Sequence, residues 1–223
     1  MRAIIAIDAD STKVGISFLN YDDGSLLYSD VITSSLSGFD RTYDLFKQFL
    51  TLMKSHMMIY KFCGCIFEDY GFYHVQRIAN MKAELIGMMK YFLRAKNIPM
   101  FYYIGTQYKK KKKYTYECAC APTQLKQFIY GTGRAPKEGK SSKLMLEVFK
   151  LTGYEFENDD LADSYMLALV YYVYLYCAEN RIKDYKKYQK KPATFVNKDN
   201  KTVELKLSAE KFKPIDKWLK GQG

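Results

Sequence analysis

Apolar residues in the first third of the chain come in short runs separated by polar turns. Ile4–Ile7 and Val14–Leu19 are too short for helices and rich in β-branched side chains, so each predicts a buried strand. The polar stretch Asp8–Lys13 between them is short enough for a hairpin. Asp22-Asp23-Gly24 signals a further turn before a third strand over Ser25–Thr33. The period then changes. Phe39, Tyr43, Phe46, Phe49, Leu50 and Met53 fall on one helical stripe over 39–57, and Phe62–Phe67 returns to a strand that ends at Glu68. A long helix follows over about 74–96, with Ile78, Met81, Leu85, Met88, Met89 and Phe92 on one side; Asn97 and Pro99 stop it, and Met100–Ile104 predicts a fifth strand.

Three meandering strands followed by helix, strand, helix, strand require crossovers, hence parallel pairing. The fold class is α/β: a mixed five-stranded sheet, a three-strand meander plus parallel strands, flanked by helices. Further helices are predicted near Thr123–Tyr130, Ser141–Leu151 and Asp159–Asn180. Lys109–Lys113 reads as a flexible basic segment without periodicity. Beyond residue 180 the Lys- and Tyr-rich tail shows no helix stripe, and only Val203, Leu205 and Leu207 alternate as a small strand would. The division is a domain over 1–180 with a basic insertion at about 105–121, then a basic C-terminal extension over 181–223.

A chain of 223 residues with 48% hydrophobic and 26% charged residues buries its own core, which excludes global disorder. Its net charge of +11 is uneven: residues 181–223 hold 13 basic and 5 acidic side chains, and 104–143 hold 10 and 2. The remainder is slightly acidic. Basic appendages around an acidic body point to a polyanionic partner, nucleic acid first. No stretch of about 18 uncharged apolar residues stands out, the run Val170–Cys177 being too short, so no membrane partner is expected. Asp8 interrupts any signal-peptide core, and five cysteines disfavour a secreted disulfide framework, so reduced thiols in a cytoplasm are expected. Cys63 and Cys65 share a strand face as two buried thiols would. Cys118 and Cys120 would bind zinc with them only if the two pairs met. His56 and His74 are isolated.

Four acids stand at the ends of apolar elements. Asp8 closes the first strand, Glu68 closes the fourth, and Asp160 and Asp163, spaced i, i+3, share one face at the start of the last helix. Functional groups of open sheets gather outside the carboxyl ends of parallel strands. A fourth strand added beside the first would set Asp8 next to Glu68, and a helix across that end would bring Asp160 and Asp163. Four converging carboxylates do not all ionise without a cation, and hard divalent ions, Mg²⁺ foremost, resolve the repulsion. Two such ions clamp an in-line phosphodiester displacement. Asp160 and Asp163 taken alone equally fit a plain complement to the helix dipole, with Asn158 and Asp159 as caps.

The runs IIAIDADSTKVGISF, CIFED, QRIANMKAELIGMM, APTQLKQFIYGTGRAPKEGKSSKLML and NDDLADSYMLAL resemble, in this order, the RuvC Holliday-junction resolvases. The resemblance spans roughly residues 1–178, broken at Lys109–Cys120. It implies an RNase H-like fold and a homodimer that cuts four-way DNA with Mg²⁺ or Mn²⁺, two ions per site, through Asp8, Glu68, Asp160 and Asp163. Asp10 and Asp159 are lesser ligands, Asp159 substituting if the helix starts a residue earlier. Gly131–Lys143 resembles the family's junction-binding G-x-G-x-A-x-K segment, which makes Lys137, Lys140 and Lys143 the phosphate contacts, with Lys126 and Arg134 secondary. The helix over 74–96 corresponds to the family's dimer interface. The family's D-P-G reads Asp8-Ala9-Asp10 here. Its aromatic wedge aligns with Gly71, so Tyr70, Phe72 or Tyr73 must serve. The lysine-rich insertion and the tail are additions to the compact bacterial form and point to a phage or mobile-element origin, in a bacterial host's cytoplasm.

The implied activity is paired, symmetric hydrolysis of junction strands leaving 5′-phosphates. A broader branched-DNA or flap endonuclease and a non-catalytic DNA-binding protein are the alternatives, and an RNA–DNA hybrid nuclease fits the ordered match less well. The first two strands also resemble the phosphate loop of actin-like ATPases, which need a second phosphate motif for which 223 residues leave no room.

Overall fold

The computed structural model describes residues 1–68, 76–109, 112–118, 120–134 and 140–221, with backbone alone for 76–79, 103–109, 112–118 and 140–142. The apolar runs at the N-terminus form β1 (Arg2–Ala9), β2 (Lys13–Asn20) and β3 (Leu26–Thr33), joined as an antiparallel meander. Then come α1 (Gly38–Met57) and β4 (Lys61–Phe67), which pairs parallel to the free side of β1, giving the order β3-β2-β1-β4. Next is α2 (Gln76–Ala95), packed with α1. In α1 the buried residues are Thr42, Leu45, Phe49 and Met53, so the stripe is turned from the predicted one, and Phe39 and Tyr43 are 68% and 57% exposed.

The expected fifth strand is corrected. Met100 bridges Cys65 and Cys120 bridges Glu68, both in parallel sense on the outer edge of β4. Between those two points the chain leaves the sheet as β5 (Tyr103–Lys109) and β6 (Lys112–Cys118), an antiparallel pair forming its own two-stranded sheet. The excursion interrupts what would be a continuous edge strand, so the main sheet has four strands. It also corrects the flexible-segment reading: Lys109, Lys112 and Lys113 are strand residues at the end of a ribbon whose other positions are rich in Tyr and Thr.

The remaining elements are α3 (Pro122–Tyr130), α4 (Lys140–Thr152), α5 (Asp159–Glu179), α6 (Tyr185–Lys190), β7 (Thr194–Val196), β8 (Thr202–Glu204) and α7 (Ala209–Gly221). α5 starts where its sequence signals a start, with the Asn158 side chain accepting a hydrogen bond from the Leu161 amide at 3.0 Å. α5 is long and apolar enough to cross a membrane, but 72% of that stretch is buried inside the protein, where it is the central helix of the core. The reading of the tail as lacking a helix is corrected as well. Phe212, Ile215 and Trp218 of α7, with Tyr188 and Phe195, are buried in the same apolar cluster as α5.

Strand alternation splits the core between two layers. Ala3, Ile5, Ile7 and Ala9 of β1 face α1 and α2, whereas Ile4 and Ala6 face α5. Asp8 continues the second series. Glu68 follows Ile66, which faces α5 too. The alternation therefore sends both acids to the α5 side.

Candidate active site

Asp8 pairs with Gly15 across β1 and β2, and Gly15 is the seat of α5. A Cβ there would stand 2.8 Å from the Asp160 backbone oxygen and 3.2 Å from the Ser164 Cβ. Only a residue without a side chain lets the first turn of α5 lie on β2. Two residues further along β2, the Ser17 and Ser164 hydroxyls bond at 2.8 Å in a buried contact. Gly64 repeats the device on β4, where a Cβ would run into the Tyr171 hydroxyl. The acidic start of α5 is thus held against the end of β1 that carries Asp8.

The Glu68 amide donates to the Ile7 oxygen at 3.0 Å, carrying the parallel ladder one step past β4 and setting Glu68 beside Asp8. Their carboxyl groups are hydrogen-bonded to each other. Two carboxyls make such a bond only by sharing a proton. Glu68 keeps it: burial, then the charge of Asp8 and the bond itself, raise its pKa well above the usual carboxylate range. Burial also raises Asp8, while the bond from Glu68 and the Lys82 ammonium draw it back down.

Asp160 accepts an ion pair from Lys13, Nζ to Oδ2 2.5 Å. Asp163, one turn on, lies beside Glu68, whose pKa its charge helps to raise. Glu68, Asp159 and Asp163 line one wall of a cavity of about 160 Å³, and Lys126 and Tyr130 of α3 line another, with Leu144 of α4. That holds about five waters and is below the ~300 Å³ usual for organic ligands, a size suited to a phosphate group and hydrated ions. Burial, then the charges of Asp163, Glu147 and Asp159, push the Tyr130 hydroxyl up to about 12, so it stays a donor near neutral pH.

All four predicted acids lie at this end of the sheet, but not as one ring. Among the described residues no three His, Cys, Asp or Glu side chains stand in cation-holding geometry. Asp8 is tied to Glu68, Asp160 to Lys13, and Asp159 shares the cavity wall expected of Asp160. The donor set nonetheless fits a hard cation: all-oxygen ligands, with a shared proton and an ammonium standing where a divalent charge would otherwise compensate them.

Of the other candidates, Lys126 lines the cavity, whereas Arg134 and Lys143 are exposed. Lys140 opens α4, its backbone alone described, one turn before Lys143. Lys137, Tyr70, Phe72, Tyr73 and His74 lie outside the described residues. His56 is half-buried, its ring packed against those of Phe18, Tyr28 and Tyr60. Sequence reasoning missed Lys13, Lys82 and Tyr130. The available signal was for Lys82: it sits three and four residues before Leu85 and Ile86 on the apolar stripe and is 3% exposed. A charge buried there needs partners, and it lies near Asp8 and Glu68.

No protein-family model matches the chain, and no curated protein matches it in sequence. Among solved structures, Thermus thermophilus RuvC aligns with TM-score 0.55 over 80% of this chain and 96% of that one. Identity is 19% for RuvC alone and 16% for RuvC in complex with a Holliday junction substrate. At that identity the likeness is one of fold: the chain has a RuvC-like architecture.

Proposed function

We propose that this chain is a divalent-cation-dependent, structure-selective DNA endonuclease that resolves four-way junctions as a homodimer. The observation that supports the reading is Asp8 beside Glu68 at the carboxyl end of β1 and β4, with the start of α5 that carries Asp160 and Asp163 packed over the same end, in a RuvC-like fold. In the hydrolysis, a water oxygen bonds to the scissile phosphorus, the bond from phosphorus to the 3′-oxygen breaks, and that oxygen takes up a proton. The products are a 5′-phosphate and a 3′-hydroxyl that ligase can rejoin. Asp8, Glu68, Asp160 and Asp163 would hold two Mg²⁺, or Mn²⁺, which would supply Lewis acidity for the attacking water and the leaving oxygen.

The chain's own groups do the rest. Glu68, which holds its proton in the cation-free protein, would have to release it to serve as a ligand beside Asp8. Asp160 would exchange Lys13 for the cation, which would free an ammonium for the DNA backbone. Asp163 closes the site from α5. Lys126, and the α4 pair Lys140 and Lys143, bind phosphates flanking the break, joined by Lys137 and Arg134. Phe72 or Tyr73 stacks on an opened base. The dimer, formed through α2, presents two such sites to the two symmetry-related strands of a junction.

Cleavage of an immobile four-way junction, beside a linear duplex of the same arms, tests the reading in Mg²⁺ or EDTA. Paired symmetric nicks that ligase seals are expected in the junction alone. They should disappear in EDTA and fall more than about 100-fold in Asp8→Asn, beyond the usual effect of groups behind a ligand. Equal cutting of flaps and forks would make the chain a general debranching nuclease, and binding without cutting would remove the catalytic claim.

A further inference from the structure

The hairpin that splits the sheet edge has no part in the site described above, yet it is rooted beside it. It departs after Met100, at the level of Cys65, and returns at Cys120, at the level of Glu68. Its root is held: Cys120 donates to the Phe67 oxygen at 3.2 Å, and α7 packs against β5. An insertion fixed at both ends to the outermost strand places whatever it carries at a set distance from the acids.

Its register sorts its residues by face. Tyr103 pairs with Cys118, Gly105 with Tyr116, Gln107 with Tyr114 and Lys109 with Lys112. Side chains alternate along a strand, so Tyr103, Tyr114, Tyr116, Lys109 and Lys112 belong to one face of the ribbon, and Glu117, with Lys113 and Tyr108 at the far end, to the other. One face thus combines aromatic positions near the root with lysines at the far end and holds no acid. Seven residues per strand at about 3.4 Å each set the lysine end roughly 24 Å from the root. A cluster of carboxylates repels a phosphate backbone, so a nuclease built on one must draw its DNA in through positive charge placed elsewhere.

We propose that the β5–β6 hairpin is a DNA-binding arm, whose lysine end takes the phosphate backbone of a duplex arm away from the strand being cut. A two-stranded ribbon is narrow enough to lie along a duplex groove. The inference rests on the DNA-cleaving reading above. At about 3.4 Å per base pair the arm reaches about seven base pairs beyond its root.

The test uses the full chain, wild type and Lys109→Gln/Lys112→Gln/Lys113→Gln, with affinity for a four-way junction measured in EDTA across a range of KCl. The triple variant is expected to bind ~10-fold or more weakly at low salt, with the slope of log affinity against log salt reduced by about 2 to 3, since each phosphate contact contributes about 0.9. The corresponding Lys→Arg triple should keep the slope, separating charge from damage to the ribbon. On junctions whose arms are cut to about five base pairs, wild type and the Gln triple should bind alike. An unchanged slope, or an equal loss on short arms, overturns the arm and leaves the nuclease reading standing. A wild type that binds no junction overturns both.

Discussion

Two lysines face the acid cluster, and they are held in opposite ways. Lys13 reaches Asp160 from the start of β2 with 40% of its side chain exposed, while Lys82 enters from the other layer, on α2, 3% exposed. Water competes for the Lys13 ammonium and is largely kept from that of Lys82. In the proposed function the Lys13 ammonium is therefore the exchangeable counter-charge, the one that would pass from Asp160 to a phosphate when a cation binds. The Lys82 ammonium is a fixed one, buried on α2, whose charge acts on both Asp8 and Glu68. Charge at this site is divided between a part that moves and a part that stays.

Removing the fixed charge should have the largest effect. Lys82→Met removes a buried charge that acts on half-buried Asp8 and Glu68, a loss of about 3 kcal/mol, or roughly 6–12 °C of melting temperature in a domain of this size. Saturating Mg²⁺ should recover much of that loss, as differential scanning calorimetry would show; a variant as stable as wild type without cation would assign Lys82 a merely peripheral place. Next is the seat of α5. Gly15→Ala drives a Cβ into the Asp160 backbone, which costs about 1–3 kcal/mol and pushes Asp160 and Asp163 from Asp8. Cleavage should fall with it, whereas Ser17→Ala, a neighbour on the same face, should lose stability and keep most activity.

The shared proton gives a pH signature. Glu68 binds its proton more tightly folded than unfolded, so its contribution to stability is complete below the ordinary carboxylate range and is lost as pH rises toward the folded pKa. In EDTA, Glu68→Gln should melt higher than wild type near neutral pH, with the gap closing as pH falls to about 4. A gap independent of pH would mean the two carboxyls do not share a proton. Smallest is the exchangeable charge. Lys13→Met should shift stability by less than about 1 kcal/mol, while isothermal titration shows Mg²⁺ binding tightened a few-fold and junction binding weakened. Weaker Mg²⁺ binding would make Lys13 a support for Asp160 and no competitor for it.

The contrast between the lysines also marks what the sequence makes legible. β1 and β4 are short apolar runs, Ile4–Ile7 and Phe62–Phe67, so the acids that close them, Asp8 and Glu68, stand out by position alone. The acids of α5 are legible because Asn158 fixes the helix start, and with it which face each acid takes. Lys82 is hidden because an isolated lysine on a long helix reads as a solvated charge, although its neighbours at i+3, i+4, i+7 and i+11, Leu85, Ile86, Met89 and Leu93, are all buried. Lys13 is hidden because a partner 147 residues away leaves no local trace. In α7 the apolar positions Phe212, Ile215 and Trp218 keep helical spacing, but Lys211, Lys213, Lys217 and an internal Pro214 mask it. The split edge strand is legible only in part, since the lysine run at its end conceals the alternation on either side.

The most direct measurement is an anomalous difference map from crystals of the wild-type protein soaked in Mn²⁺. The expected result is density between Asp8 and Glu68 and toward the start of α5, with Lys13 turned away from Asp160. Crystals with no density at these acids, at Mn²⁺ concentrations that support cleavage in solution, would contradict the assignment of this carboxylate cluster as the cation site.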